Sequence, residues 1–506
     1  MTTRRDFLRY AAAVPSTAVI ARYCAAAPQY DFPRITFYGA TQQVSGSCHL
    51  LETSHGLYVV DCGMFTADIE NFDRENREFP FNPKDVKALL LTHAHADHHG
   101  RLPLLYKQGF RGKIYCTDAT RDLTQLVFSS APPREDDIEP LFELEDAIKM
   151  LELLEVVPYN RKVKADKLTV RYTDAGHILG SAMIEVWVDG RKILFSGDTG
   201  PENGPILFPP TQHYTADAVL VESTYGPSAR STINYEDFGK RINEVIERGG
   251  DVLIPTFALH KSQMLIFTIQ RLMQDGVVSQ DIPIYCDSGT IHKTNLIYHA
   301  YQDYYDDEAR NFVKKHGTLF YMGKYREGRV RDFVKAHGGT PSIYIATSGM
   351  LAFAASPQHL RAMADNPKNA LFIPGYQAPN TVGRQLLDGI RDVTLNIQEV
   401  VEERTVNRQV RVNVELEVDR VSGFSSHATG EQILEWLSEF EAVGPTYIVH
   451  GDKDRSTGLA EKAREMGLDA TAPERNESFT VKGERVKPGA VPPLDAKPPA
   501  PAIVDQ

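Results

Sequence analysis

Four histidines and an aspartate fall within seven residues, at His93, His95, Asp97, His98 and His99 of the stretch ALLLTHAHADHHG, Ala88–Gly100. Imidazole and carboxylate together suit a zinc-type ion, whose chemistry is to activate water and to polarise an oxygen. Further candidates lie downstream. His177 stands among Gly176, Gly180 and Ser181, small residues that let backbone come close to something there. Asp198 sits between glycines in SGDTG, and His450 closes PTYIVHGD. The set reads as His93, His95 and His177 for one metal and Asp97, His98 and His450 for a second, with Asp198 between them. Two such ions share a hydroxide and neutralise the attacking and leaving oxygens of a displacement, which suits phosphodiester hydrolysis.

The elements that must position these groups are strand ends. The apolar run Ala88–Leu91 reads as a buried strand. Alternation along an extended chain then turns His93 and His95 the same way. Asp97 is expected at the N-cap of a following helix, and His99 is read as a non-ligand. Upstream, ITFYGA, SCHLLET and LYVVDCG give strand, turn and strand, with Asp61 ending the last run as a carboxylate that orients a ligand or the metal-bound water. Downstream, GKIYCTD, the pair within LTVRYTDAGHILGSAMIEVWVDG, KILFSGDTG and ADAVLVESTYG are strands, the last ending in Glu222. A helical stretch is expected over Arg121–Ser130, broken by Pro132-Pro133, and the acidic segment Glu135–Glu155 reads as mostly helical and solvated. Ligands in α/β folds gather at one end of the sheet, and five of the groups fall at such ends.

Composition bounds the rest. The chain has 506 residues, 42% hydrophobic and 24% charged, with a formal net charge of −12. It is long enough for two domains, and an acidic chain exerts no general pull on nucleic acid or anionic membrane. Residues 1–27 resemble a twin-arginine export signal: Arg4-Arg5 and Phe7-Leu8 precede a small-residue run and Ala25-Ala26-Ala27, too short to span a bilayer. A periplasmic or secreted address is therefore expected. No pair among Cys24, Cys48, Cys62, Cys116 and Cys286 has zinc-knuckle or redox spacing; they read as buried small hydrophobes, with a disulfide left open.

From residue 226 to 405 the strands DVLIPTFA, IPIYCD, GTLFYMG, PSIYIATSG and NALFIPGY alternate with helices such as KSQMLIFTIQRLMQ, a parallel α/β domain of its own. It carries a basic stretch, Lys324, Arg326, Arg329, Arg331 and Lys335, read as a solvated face with phosphate contact as the alternative. After residue 406 come strands, then a helix with His427 in the small-residue turn before it. The Pro/Ala-rich tail, 487–506, reads as disordered.

HAHADHHG, with Asp61, DAGHILGSA and SGDTG, resembles the metallo-β-lactamase fold. VESTYG, IPTFALHKSQ, IATSGML, IPGYQAPNTVGRQLLDG, GFSSHAT and YIVHGD resemble, in order, the β-CASP nucleases, relatives of the cleavage and polyadenylation endonuclease and ribonuclease J. The resemblance implies an α/β architecture. It is a metallo-β-lactamase αββα sandwich (31–225 and 406–475) into which a parallel α/β β-CASP domain (226–405) is inserted. It implies two Zn2+ on the ligands named above, single-stranded RNA as the partner and, since related nucleases often dimerise, a homodimer. Glu222 and His427 match residues thought to pair and protonate the leaving oxygen; with Asp97 and Asp61 they form the expected catalytic group. Ser425, Ser426, Arg384 and Lys261 are the expected substrate contacts. His450 favours RNA over DNA. The chain departs from the pattern at Ala258-Leu259, Ala352-Phe353-Ala354-Ala355, Thr429 and Pro227-Ser228. The other readings are a metal hydrolase of an ester or amide, and a non-catalytic nucleic-acid-binding relative.

Overall fold

The computed structural model describes residues 33–66, 72–129, 139–229, 234–321, 323–327, 339–401 and 404–494. The export-signal segment, Pro132-Pro133, Glu135, Arg329, Arg331, Lys335 and residues 495–506 of the expected tail lie outside them.

Among the described residues two seven-stranded sheets form a sandwich. The first runs Ser478–Thr480, Arg34–Phe37, His49–Thr53, Gly56–Val60, Val86–Leu90, Lys113–Cys116, Leu154–Val156. The second runs Ala470–Thr471, Thr446–Val449, Ala218–Glu222, Arg191–Phe195, Ala182–Val188, Leu168–Asp174, Lys162–Ala165. Strand alternation explains why both layers close. In Ala218–Glu222, Ala218 and Leu220 face the core between the sheets, with Phe37, Val60 and Leu90 opposite. Val219 and Val221 of the same strand face the helices Gly430–Ser438 and Lys453–Glu465. Both faces are covered, so the strand is apolar throughout until Glu222. On the far side, Leu102–Lys107 and Leu144–Leu151 cover the first sheet through Leu102, Leu105, Ala147 and Met150.

The inserted domain is a six-stranded sheet, Tyr325–Glu327, Ile284–Asp287, Ile343–Ala346, Val252–Pro255, Ala370–Ile373, Glu417–Arg420, with every pair parallel. Tyr235–Glu247 and Lys261–Gln274 pack on one face through Phe238, Ile242, Leu265 and Ile269. Ser356–Met363, Val382–Leu387 and the hairpin Asp392–Val401/Arg404–Asn413 pack on the other. The α/β class, the αββα sandwich and the inserted parallel domain are thus as expected. No helix among the described residues is long and apolar enough to cross a membrane.

Local readings differ in five places. GTLFYMG is not a strand: Gly317 caps the helix Asp307–His316 in the left-handed region (φ +82°), and Leu319 and Phe320 plug the core, so pairing begins at Tyr325. The chain does not leave the inserted domain at 406, because Glu417–Arg420 still pairs with Ala370–Ile373. The sandwich does not end at 475 either, since Ser478–Thr480 forms its edge beside Arg34–Phe37. Residues 487–494 are anchored rather than free: the Gly489 amide donates to the Met466 carbonyl (2.7 Å), and Val491 and Leu494 pack beside the second sheet's helices. The acidic segment shortens to the helix Leu144–Leu151 followed by an edge strand, with Glu143, Glu145, Glu152 and Glu155 exposed as expected. Lys324 and Arg326 are exposed, Lys324 paired with Asp281 (3.3 Å). Cys48, Cys62, Cys116 and Cys286 are buried free thiols.

Arg101 ties the first sheet's functional edge together. It is 2% exposed, with its guanidinium donating to the Gly63 (2.6 Å) and Glu75 (2.9 Å) carbonyls between the rings of Phe65 and Phe79. Truncation strips two carbonyls of their donor, at about 1–3 kcal/mol each. Arg101→Ala is expected to cost about 3 kcal/mol or more and to lower the thermal midpoint in calorimetry; an unchanged midpoint would mean that water replaces the guanidinium.

Candidate metal centre

Strands from both sheets run parallel where they reach the edge of the sandwich, so their C-terminal ends open on one place. Asp61 follows Gly56–Val60, His93 follows Val86–Leu90, Asp198 follows Arg191–Phe195, Glu222 ends Ala218–Glu222 and His450 follows Thr446–Val449. Asp61 (φ +59°) and His450 (φ +55°) adopt the left-handed region, which turns each side chain at the strand end and costs of order 1–3 kcal/mol. The helix after the cluster is Ala96–His99, capped by His95, so Asp97 lies inside its first turn and not at the N-cap.

Two sets of donors form. In the first, His95 Nδ1 is 3.2 Å from His93 Nε2 and 3.0 Å from His177 Nε2, and Asp198 Oδ2 is 3.5 Å from both Nε2 atoms. In the second, His450 Nε2 is 3.1 Å from His98 Nε2 and 3.3 Å from Asp97 Oδ2. Asp198 Oδ1 reaches this set, 3.2 Å from His98 Nε2 and 3.4 Å from His450 Nδ1, and has no hydrogen-bond partner though buried. Tetrahedral bonds of about 2.0–2.1 Å require donor separations near 3.3–3.4 Å, which these distances match.

Proton counting reaches the same point. His177 donates Nδ1–H to the Ser426 carbonyl (2.8 Å), and His98 donates Nδ1–H to Asp61 (2.7 Å). On neutral His177 this leaves Nε2 bare and turned toward His95 Nδ1 and Asp198 Oδ2; His98 lies between Asp61 and Asp198, which favour its charged form. Such donors converge on cations. Burial, with neighbouring imidazoles, drives His93 and His177 well below the ordinary histidine range, and burial brings His95 to about 4. Burial also opposes charge on His98 and Asp97 but is overcome. Asp198 and Asp61 raise His98, while the His450 hydrogen bond with the His98 and His450 charges holds Asp97 down to about 2. His99 is apart: it donates to the His95 carbonyl (2.7 Å) and packs on Phe128, in keeping with a non-ligand.

Beside the first set, His427 Nδ1 lies 3.0 Å from Glu222 Oε1, with its ring 4.4 Å from that of His177. Glu222 is fully buried and also accepts the Thr199 amide (2.7 Å) and the Thr224 amide (3.2 Å). Burial pulls the His427 imidazole down, but the charge and hydrogen bond of Glu222 outweigh it and hold His427 above its ordinary value.

The metallo-beta-lactamase superfamily model matches residues 41–239, the Beta-Casp domain model residues 262–386, and the Zn-dependent metallo-hydrolase RNA specificity domain model residues 411–473. A ribonuclease of Thermus thermophilus is 32% identical over 84% of this chain and 95% of its own. The chain belongs to the β-CASP nucleases of the metallo-β-lactamase superfamily. It is a metal-dependent hydrolase. An RNase J-like protein of Methanocaldococcus jannaschii is 30% identical, covering 84% of this chain and 94% of its own. A transcription termination factor of Methanothermobacter thermautotrophicus is 30% identical over 86% of this chain and 69% of its own.

The expected metal ligands stand together at this edge, while the four expected substrate contacts are engaged within the protein. Asp61, expected in the catalytic group, accepts from Thr92 N (2.9 Å), Thr92 Oγ1 and Ser47 Oγ and holds His98, the orienting role its strand-end position suggests. Of the expected substrate contacts, Ser426 serves through its carbonyl on His177, and the Ser425 hydroxyl closes its own turn on the His427 amide (3.0 Å). Arg384 is tied to Asp388 on its own helix (2.8 Å). Lys261 donates to the Phe424 carbonyl (2.8 Å). Thr92, Thr199 and Thr224, the last 3.1 Å from His450 Nδ1, are functional partners the sequence reading passed over. Thr92 and Thr199 adjoin His93 and Asp198 in sequence and Thr224 lies two residues after Glu222, the one signal available. Asp61→Asn should leave His98 misaligned and weaken metal retention roughly 10–100-fold, measured as metal content against a graded chelator. Wild-type retention would remove Asp61 from the metal site.

Proposed function

We propose that the chain is an exported, zinc-dependent nuclease that hydrolyses phosphodiester bonds of single-stranded RNA, with two ions held by the two donor sets. The observation that carries this reading is the Glu222–His427 pair beside a centre able to take two cations: His427 Nδ1 is committed to Glu222 at 3.0 Å, leaving Nε2–H as the ring proton available to the cleft. Bound divalent cations supply Lewis acidity, activating water and offsetting charge on a phosphate. The chain's own residues do the rest. Asp198 spans both sets, and Asp61 keeps the His98 ring turned toward them. Glu222 keeps His427 protonated, and His427 gives that proton to the leaving oxygen. Imidazole and carboxylate donors without thiolate, and the match to a Zn-dependent RNA specificity model, favour zinc and RNA. Relatives named as ribonucleases favour the same substrate. The Arg4-Arg5 pattern is the basis for export, and pairing into a homodimer rests on the resemblance alone.

Purified protein is expected to hold close to two zinc ions per chain and to cleave single-stranded RNA in a panel with single-stranded DNA and a β-lactam. β-Lactam turnover without RNA cleavage would overturn the substrate. His427→Ala should keep its metal and lose about 10²–10⁴-fold in turnover; loss of metal would make His427 a ligand. The raised histidine acts as an acid below its folded pKa, so activity falls as pH rises through that value. Glu222→Gln should move this alkaline limb of the kcat/KM profile to lower pH. Arg4→Lys with Arg5→Lys should retain a fused reporter in the cytoplasm.

A further inference from the structure

Three large aromatic side chains stand exposed at one end of the inserted sheet. Phe257 is 38% exposed, Phe353 63% and Tyr376 56%. They follow Val252–Pro255, Ile343–Ala346 and Ala370–Ile373, three adjacent parallel strands, so their loops leave the sheet side by side. Those loops are held in register. The buried Gln377 donates its side-chain amide to the carbonyls of Gly349 and Tyr376, both at 2.9 Å. Ser348 Oγ accepts the Ala352 (3.0 Å) and Phe353 (3.3 Å) amides, and the Ser348 amide donates to the Phe353 carbonyl (3.1 Å). The Phe257 ring lies against Gly349, where an added Cβ would come within 2.9 Å of it. Rings so displayed are neither core nor loosely tethered.

The platform is linked to the metal centre through Lys261 and the segment 424–427. Lys261 Nζ lies 3.8 Å from where a Cβ of Gly375 would stand and donates to the Phe424 carbonyl, and Phe424 leads through Ser426, which holds His177, to His427. Lys261 is half-buried, burial brings its ammonium down to about 8, and among the described residues no carboxylate pairs with it, so an anion beside it would favour its charged form. The whole chain carries −12, which denies it the broad electrostatic attraction that draws most proteins to nucleic acid. A strand that reaches this cleft needs another source of affinity, and every base has a face that stacks on an aromatic ring.

We propose that Phe353 and Tyr376, backed by Phe257, are a base-stacking subsite for unpaired nucleotides next to the scissile phosphate, with Lys261 on the adjoining phosphate. The inference rests on the nuclease reading and adds the subsite through which the strand is held. Stacking on three rings selects single strands and tolerates any base sequence, because a duplex keeps its faces covered.

The test is a cycle between protein and substrate. Phe353→Ala and Tyr376→Ala, both at exposed positions, are measured on single-stranded oligoribonucleotides with and without abasic sites, using the zinc-loaded full chain. Each Ala variant should raise KM about 5–150-fold on the intact strand with a smaller change in kcat. Abasic substitution should raise the wild-type KM by a similar factor, and the two changes together should do little more than either alone. Phe353→Trp should restore binding. Wild-type cleavage with KM unaltered in both Ala variants would overturn the subsite while leaving the nuclease standing. Fully additive effects of ring and base removal would overturn it too, as would an unaltered KM with loss of a dimer in light scattering, which assigns the rings to a contact between copies. Failure of the wild type to cleave either RNA or DNA would take down both readings.

Discussion

Asp198 lies between two groups of imidazoles and sends one oxygen to each. Around it, His177 gives its Nδ1 proton to a backbone carbonyl and His98 its own to Asp61, so that their other ring nitrogens face further imidazoles across about 3 Å. Divalent cations at its centre would take those donor atoms as ligands, and metal uptake would then be coupled to the closure of this edge. The surroundings follow from it. Thr92, Ser47 and Thr224 fix rings and carboxylates whose own charges would otherwise choose other partners.

The sandwich supplies the convergence. Parallel strands from two different sheets finish at the same edge, and left-handed turns at Asp61 and His450 swing side chains where an extended chain would not send them. The inserted domain adds no metal ligand among the described residues. Its loops after Ile343–Ala346 and Ala370–Ile373 are bound to one another through Gln377, and the first is closed on itself through Ser348.

Much of this was legible in the amino-acid order because period-two alternation is a strong signal in buried strands. Val86–Leu90 predicts where His93 and His95 point, and the apolar runs before Asp198 and Glu222 mark strand ends without ambiguity. What escaped is what alternation does not encode. Asp61 stands at a strand end like the others, and its orienting role is legible there, but its left-handed φ and its partner His98 are not. Strands are legible after residue 406, but nothing in EVDR says which sheet Glu417–Arg420 joins, and it pairs as an edge of the inserted one. Leu319 and Phe320 look like strand residues because burial as a plug and burial in a sheet draw on the same side chains.

His98 and His450 touch across 352 positions of chain, and Ser426 reaches back to His177 across 249. The inserted domain occupies the interval. A nascent polypeptide therefore carries the histidine cluster early in its synthesis, with neither the second donor set nor the Glu222–His427 pair complete. Both become complete only once His427 and His450 of the 506 residues have been added. In a chain of this family the order of synthesis thus leaves the full set of site residues to the last tenth or so of the polypeptide.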